Sequence, residues 1–474
     1  MKDFLIQLLG REGVLDAPSE MGAYREDYSE AAPSEPSLVA FVTTPEQIQQ
    51  IVRQAGQRKL TITPRVAGTN VGGLALAAQG GVILDFTRMN RIHEVNDSDM
   101  YAVIEPGVTQ QQMKDCLKQR GGSLTLGYSL APPHTSILAN ALLGGLTNRS
   151  LKYGDQSQWI SGLEVVLADG SLARTGSWAL EGVSPYGQVP FPALTGLFVG
   201  WAGTTGIVSK MAFQLWPQHK FNQRLFILTY SAHGTFEAVR RLVRREFCDD
   251  LGGLSWPSAK MMLGVKHPHP EPAPGEPTFI LYADLTADIE EEMSLKVRML
   301  NDVLHSVRKE GEQIEEPIDI KTLLKVNPAM SPFADFPTDL EFLTNHGGGG
   351  LSWVGTYGPL SRFEQGIAAG TEIMVRHGFA PMIVTRPMRG GHYAVLRFVE
   401  TYDKANAAEV ERVKSVNTEL LAKCTELGFA MYKTPSWAWE ILRPKLDPGM
   451  LKLMRGVKDL LDPQGTLNPG KMGI

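Results

Sequence analysis

The loop from Pro64 to Gly73, PRVAGTNVGG, constrains this chain more than any other segment. It directly follows the β-forming run KLTIT and holds three glycines among small polar residues. Glycine allows backbone conformations with positive φ and lets the main chain approach a ligand closely. Consecutive main-chain N–H groups in such a loop form a concave site for an anion without a lysine. The spacing fits neither a GxGxxG turn nor a GxxxxGK loop, so the sequence predicts an anion-binding loop of another kind.

The segments on either side of this loop predict alternating strands and helices. A strand, LVAFVTT, precedes a helix that begins at Pro45 with Thr44 as its N-cap. A further strand, GGVILDF, follows the loop. The order is therefore strand, helix, strand, loop and strand, which is typical of an α/β unit.

The same logic continues toward residue 219. Residues 99–120 read as a strand followed by an amphipathic helix, and GLEVVLADGSLARTG predicts a hairpin that turns at Asp169-Gly170. We expect these elements to form one domain over residues 30–219.

From about residue 220 the composition changes to longer, charged amphipathic helices beside alternating strands. This change predicts a separate α+β domain over residues 220–425. Residues 426–474 are expected to form a C-terminal tail that returns to the first domain.

Composition argues against several classes of protein. The 474 residues carry a net charge of -5 and no basic run, so we expect no nucleic-acid partner. No run of about 18 apolar residues predicts a membrane span. The three cysteines, Cys116, Cys248 and Cys424, lie far apart and predict reduced thiols in a cytoplasmic protein. No spacing of cysteines and histidines predicts a metal site.

Four segments, taken in order, resemble the vanillyl-alcohol oxidase / p-cresol methylhydroxylase superfamily of FAD enzymes. The first is the glycine loop with the strand after it, and the second is EPGVTQQQM at 105–113. The third runs over 136–176 and the fourth over 197–217. The C-terminal segments LGFAMYKTPSWAWEIL and LLDPQGTLNPGKMGI resemble the tail of the phenol-oxidising branch.

The resemblance implies an α+β chain with a two-domain PCMH-type FAD-binding fold, made of two α/β subdomains and an α+β cap or substrate domain. It also implies FAD as the cofactor. The residues expected to contact FAD are Arg65, Gly68, Thr69, Asn70, Val71, Gly72, Ser136, Asn140, Gly144, Gly203, Gly206, Ile207 and Lys471.

Some relatives attach the flavin covalently through a histidine or tyrosine. The glycine loop here has no histidine, and a hand alignment places Gly350 at the linking position of the second domain. We therefore predict non-covalent FAD. The alternative is a shifted alignment, in which His346 would be the linking residue.

The resemblance also implies residues for the chemistry. The tyrosine and arginine that hold the phenolate in the phenol-oxidising branch fall at Tyr432 and Lys433, while the family's second tyrosine falls at Val71. No carboxylate lies near Ala131, where some relatives have one. Two of these four positions depart from the pattern, so a para-alkylphenol substrate is in question.

The stretch TRPMRGGHY matches a segment that lines the pocket in relatives. We expect His392 to act as general base, because the pKa of histidine suits that work, and Arg389 to contribute charge. The alternative for His392 is a loop histidine bonded to the main chain. The predicted catalytic set is His392, Tyr432, Lys433 and Arg389.

The sequence thus predicts an FAD-linked oxidoreductase that takes hydride from a hydroxylated, benzylic or phenolic carbon of a small substrate. Two alternatives stay open: a 2-hydroxyacid dehydrogenase of the lactate or glycolate kind, and an FAD-carrying subunit of a larger redox complex. Against the first, the chain lacks the HxGDGNxH-like metal motif that such enzymes usually carry. The electron acceptor is not specified and includes a cytochrome or another carrier protein, and a homo-oligomer is compatible with the sequence.

Overall fold

A computed structural model describes residues 1–265, 268–270, 273–339, 343 and 348–474. Within these ranges the strands form sheets of four, five, two and eight strands. Among the helices of these residues, none combines the length and the apolar character needed to cross a bilayer.

The four-stranded sheet carries the glycine loop at the end of one strand. Its order is β1-β2-β4-β3, and β2, β4 and β3 run parallel. Its strands are β1 (Val14–Leu15), β2 (Leu38–Phe41), β3 (Ile62–Arg65) and β4 (Val82–Asp85). The helices beside it are α1 (Lys2–Leu9), α2 (Gly22–Arg25) and α3 (Pro45–Gln57). Because Leu5 of α1 is fully buried in the core of this sheet, the first helix belongs to the same unit.

The five-stranded sheet is antiparallel, with the order β5-β6-β10-β8-β9. Its strands are β5 (Ile92–Asn96), β6 (Tyr101–Ile104), β8 (Ile160–Val166), β9 (Leu172–Arg174) and β10 (Ile207–Gln214). A separate pair joins β7 (Leu124–Thr125) to β11 (Trp216–Pro217). The helices of this part are α4 (Gln110–Gln119), α5 (Ile137–Leu142) and α6 (Ser150–Tyr153).

The eight-stranded sheet forms the cap, with the order β15-β12-β14-β13-β17-β18-β16-β19. Its strands are β12 (Phe221–Thr229), β13 (Asp250–Ser255), β14 (Phe279–Ala287), β15 (Ile318–Asp319), β16 (Gly349–Gly358), β17 (Met382–Met388), β18 (Tyr393–Asp403) and β19 (Ala430–Met431). Its helices are α7 (Ala232–Val243), α8 (Trp256–Met262), α9 (Glu290–Arg308), α10 (Ile320–Val326), α11 (Phe363–Arg376) and α12 (Ala407–Glu426).

The two faces of this sheet have different partners, because successive side chains of a strand point to opposite faces. On β18, Leu396 and Phe398 pack into the core formed with α11 and α12, whereas Val395, Arg397 and Val399 line a cavity on the other side. The α+β architecture expected from the sequence is confirmed.

The tail contacts both parts of the molecule. Strand β19 first extends the cap sheet by pairing with β16. Two helices follow, α13 (Trp439–Leu442) and α14 (Pro448–Leu461). The chain then returns to the first sheet, where Leu467 bridges Ile62, and Asn468 Nδ2 donates to the carbonyls of Leu74 and Ala202.

Candidate active site

A cavity of about 460 Å³ lies between the cap sheet and the glycine loop. The loop, helix α5 and the start of β10 line one side of it. Strands β12, β14, β17 and β18 line the other side, through side chains that include Arg224, Tyr282, Arg386 and Arg397. The predicted residues that line it are Arg65, Thr69, Asn70, Val71, Ser136, Asn140, Gly203, Gly206, Ile207 and Lys433.

The glycine loop contains a run of four main-chain N–H groups, from Thr69 to Gly72, beside the cavity. From Thr69 to Gly72, none of the amides donates a hydrogen bond to any residue the structure describes. Gly72 has φ +140°, a conformation that an L-residue rarely adopts. Consecutive unpaired amides beside a cavity are the arrangement that binds a phosphate.

The amides on both sides of that run are already in use. Gly68 N–H donates to the carbonyl of Val66 at 2.6 Å, and Gly73 N–H donates to Asp27 Oδ2 at 2.7 Å. Gly68 is therefore part of the turn that shapes the loop, and it does not line the cavity.

Lys433 joins the tail to helix α5, which lines the same side of the cavity as the glycine loop. Its Nζ donates to Asn140 Oδ1 at 3.0 Å, and Asn140 Nδ2 in turn donates to Ser129 Oγ and Gln156 Oε1 at 2.9 and 2.7 Å. The pKa of Lys433 is lowered to about 8, first by burial and then by the neighbouring Arg397, whereas Asp155 opposes the shift. The Lys433 side chain is thus a cation at neutral pH and loses its proton at about pH 8.

Arg397 lines the cavity and is paired with Tyr432, which does not line it. Arg397 Nε donates to Tyr432 Oη at 2.9 Å, and the guanidinium lies over the Trp353 ring at 4.9 Å. The Tyr432 ring stacks on Tyr357, with 4.5 Å between centroids. Within the described residues, no carboxylate forms an ion pair with Arg397 or Lys433. Two cations therefore face the cavity without a carboxylate partner.

Two further arginines at the cavity are neutralised. Arg224 Nε donates to Asp284 Oδ1 at 2.6 Å, and Arg386 Nη2 donates to Asp250 Oδ2 at 3.0 Å. Arg386 Nε also donates to the hydroxyl of Tyr282. Burial raises the pKa of Asp250 above its usual range, although Arg386 opposes the shift. These two arginines therefore have carboxylate partners, unlike Arg397 and Lys433.

Comparison with known families identifies the two domains that surround the cavity. Residues 36–176 match the family described as "FAD binding domain", and residues 266–472 match "FAD linked oxidases, C-terminal domain". The two matches together cover more than half of the chain. The protein belongs to the FAD-linked oxidases.

Two curated relatives and one solved structure match over nearly their whole length. The glycolate oxidase subunit GlcD of Bacillus subtilis (strain 168) is 27% identical over 491 residues, covering 100% of this chain and 96% of that protein. The 4-cresol dehydrogenase [hydroxylating] flavoprotein subunit of Pseudomonas putida is 25% identical over 499 residues, covering 98% and 94%. The solved structure of p-cresol methylhydroxylase with substrate bound superposes with a TM-score of 0.87 at 23% identity, covering 99% of this chain and 95% of that one.

The unpaired amides of the glycine loop fit the pyrophosphate of FAD. Gly203 supports the same cradle, since its φ is +74° and a Cβ there would lie 2.6 Å from Pro64 Cγ. Ser136 caps helix α5 and donates to the carbonyl of Pro106 at 2.6 Å. Gly144 lies away from the cavity lining, and its carbonyl accepts a hydrogen bond from Tyr357.

Lys471 lies behind the glycine loop rather than in the cavity. It is 2% exposed, and its Nζ donates to the carbonyl of Gly73 at 2.6 Å. With Gly72 it lines a second cavity, of about 480 Å³, on that side of the loop. Burial lowers its pKa to about 8, and Asp27 opposes the shift. The geometry gives Lys471 a role in holding the loop.

Arg389 and His392 do not reach the main cavity. Both side chains are exposed and follow the end of β17, whereas Met382, Val384 and Arg386 of that strand line the cavity. Arg389 and His392 therefore lie beyond the part of β17 that contacts the cavity. We do not retain His392 as a general base.

The position aligned with the covalent flavin link also faces elsewhere. On β16, Leu351 and Trp353 line the cavity, so Gly350 points to the opposite face. A Cβ at Gly350 would lie 2.7 Å from the Tyr402 ring. The alternative linking residue, His346, lies outside the described residues.

Proposed function

We propose that the protein uses FAD to remove hydride from a hydroxylated, benzylic or phenolic carbon of a small substrate that carries an anionic or phenolic oxygen. The observation that carries the proposal is the pair of cations, Arg397 and Lys433, that face the cavity with no carboxylate partner among the described residues. A substrate oxygen with negative charge would supply the partner that the described residues do not provide.

The side chains of the cavity can perform three tasks. FAD, when bound, supplies the acceptor for the hydride. Arg397, held by Tyr432, presents N–H donors to a substrate oxygen, and such donors in a dry site stabilise negative charge strongly. Lys433, protonated below about pH 8, adds positive charge on the flavin side. The apolar side chains of Leu351, Met382 and Val399 exclude water around these groups.

We also propose that FAD is held without a covalent bond. The cavity-facing side chains of β16 are Leu351 and Trp353, and neither offers the histidine or tyrosine that links flavin in some relatives. The glycine loop has no histidine either. A denatured sample should therefore release all of its flavin into the supernatant.

The proposal leaves the electron acceptor as a separate molecule. One relative is described as a flavoprotein subunit, and a carrier protein such as a cytochrome would be the corresponding partner here. The cytoplasmic location and a homo-oligomeric state stay predictions.

A second candidate is a 2-hydroxyacid dehydrogenase. A full-length relative is described as a glycolate oxidase subunit, and Arg397 with Lys433 would also bind a carboxylate. The two candidates differ in the group beside the oxidised carbon, so a panel of substrates separates them.

The test follows bleaching of the bound flavin without oxygen, using phenols, benzylic alcohols, D-lactate and glycolate. We expect a phenol or benzylic alcohol to bleach the flavin. R397M should stay yellow but bleach roughly 100-fold more slowly, because one removed donor costs about 3 kcal/mol. The matched control is R362M, which removes an exposed arginine of the cap.

Other outcomes assign the protein differently. Bleaching by D-lactate or glycolate and by no phenol would favour the second candidate. A yellow protein that no small molecule bleaches would indicate an FAD-carrying subunit. A colourless protein that takes up no FAD would refute the cofactor assignment.

A further inference from the structure

A second polar cluster lies on the face of the cap sheet opposite the main cavity. Glu400 of β18 stands directly across from Ser352 of β16, so their side chains share one face beneath helix α12. Asn417 reaches the cluster from that helix, and Glu30 reaches it from the segment before β2. Their exposed fractions are 0% for Glu400 and Asn417, 3% for Ser352 and 7% for Glu30.

Four oxygens of this cluster lack a hydrogen-bond partner. They are Oε2 of Glu30, both carboxylate oxygens of Glu400, and Oδ1 of Asn417. No basic side chain in the described part of the chain forms an ion pair with either carboxylate. Burying a carboxylate without a partner is strongly unfavourable, so something must compensate these groups.

A shared proton would compensate only part of the cluster. Burial, together with the charge of Glu30, raises the pKa of Glu400 well above its usual range. One proton between the two carboxyl groups supplies one donor, whereas four acceptors are unpaired. Asn417 Nδ2 already donates to Ser352 Oγ at 2.8 Å and to Glu30 Oε1 at 3.3 Å.

A cation can pair with all of these oxygens together. A half-turn of the Asn417 amide exchanges its oxygen and nitrogen and presents Oδ1 to Glu30 and Ser352. Two carboxylates, an amide oxygen and a hydroxyl are oxygen donors only, which is the preference of a hard cation such as Ca²⁺. The second cavity gives access, since Glu30 forms part of its wall.

We propose that Glu30, Ser352, Glu400 and Asn417 bind one hard divalent cation of the Ca²⁺ class. The cation would fasten the segment before β2 to the cap sheet and to helix α12. No group of three or more histidine, cysteine or acidic residues in the described ranges forms a metal site, and this site differs because half of its ligands are neutral. It is separate from the main cavity, so its test does not depend on the proposed function.

The experiment uses the full chain with its flavin. Metal content is measured by mass spectrometry after purification in Ca²⁺, and the thermal midpoint is measured after EDTA treatment with added CaCl₂ or MgCl₂. We expect about one Ca²⁺ per chain and a rise of several degrees with CaCl₂, because a ligand that binds only the folded state stabilises it. E400Q and E30Q should each lose both effects.

The matched control is E426Q, which removes an exposed carboxylate from the same helix and should keep both effects. Should E400Q fail to fold, E30Q and the metal content of the unmodified protein still decide. No bound metal and no Ca²⁺-dependent midpoint in the unmodified protein would overturn the proposal. A response that persists in both E400Q and E30Q would also overturn it, because the cation would then bind elsewhere.

Discussion

Replacing Lys433 with methionine should stabilise the flavin-free protein at neutral pH. The structure lowers the pKa of Lys433 from 10.5 to about 8, chiefly by burial. Since one pKa unit corresponds to 1.36 kcal/mol, keeping Lys433 charged at pH 7 costs the fold roughly 3 kcal/mol. Methionine removes that cost but leaves Asn140 Oδ1 without its donor, a loss of about 1 kcal/mol. The expected net gain is roughly 2 kcal/mol.

The sign of the pH dependence follows from the two pKa values of this lysine. Between about pH 8 and 10.5 the unfolded chain binds the proton that the folded protein has released, so the stability of the unmodified protein rises with pH. K433M lacks this contribution, and its advantage should disappear by about pH 10.5. Lys471, whose pKa is also lowered to about 8, should leave part of the slope in the variant.

The measurement is thermal unfolding of the flavin-free protein at pH 7, 9 and 10.5. K118M serves as the control, because Lys118 is an exposed lysine of helix α4. The cost of the buried Lys433 charge would be ruled out if K433M were no more stable than the unmodified protein at pH 7. It would also be ruled out if the stability of K433M rose with pH as steeply as that of the unmodified protein. A confirmed gain would show that the cavity keeps a destabilising cation, as expected where a group serves function.

Two glycines offer further tests. G72A should weaken FAD binding at least tenfold, because alanine does not tolerate φ +140° in the glycine loop. The control G200A, at a position with φ +78° and open space, should bind FAD normally. Equal dissociation constants for FAD in G72A and G200A would contradict the assignment of the loop. G355A should bind FAD yet lose turnover by roughly tenfold or more, because its Cβ would lie 2.9 Å from Tyr432 Cε1 and displace the partner of Arg397. G456A, on helix α14 with open space, is its control, and unchanged turnover in G355A would argue against a role for Tyr432.

Local features of the fold could be predicted because their causes are local. Thr44 caps helix α3 through the N–H of Gln47, and the side chain of Gln47 accepts from Thr44 N–H in return. The hairpin of β8 and β9 forms as expected from Asp169-Gly170. In both cases a few neighbouring side chains determine the backbone.

The composition of the cavity depends on pairings that lie far apart in sequence. Arg397 is not among the residues predicted for the site, because its orientation follows from the register of strand β18 with β16 and β17. Alternation along β18 would have placed Arg397 beside Val395 and Val399 on one face. His392 was expected at the cavity but does not line it, because the sequence cannot say which part of β17 approaches the cavity.

The segment before residue 30 shows the same limit. The domain was expected to begin at residue 30, yet Leu5 is part of the core of the first sheet and Asp27 holds the glycine loop. Nothing in the sequence of residues 1–29 indicates these contacts, because their partners lie elsewhere in the chain.

The return of the tail to the first sheet sets an order of events during biosynthesis. Asn468 donates to the carbonyl of Leu74, directly after the loop, and to that of Ala202, and Lys471 donates to the carbonyl of Gly73, which lies 398 positions earlier in the sequence. In a nascent chain on the ribosome, the glycine loop therefore lacks these hydrogen bonds until residues near 470 have emerged. We therefore expect flavin uptake to follow translation of the tail, because a chain that ends before it would carry the loop without these hydrogen bonds.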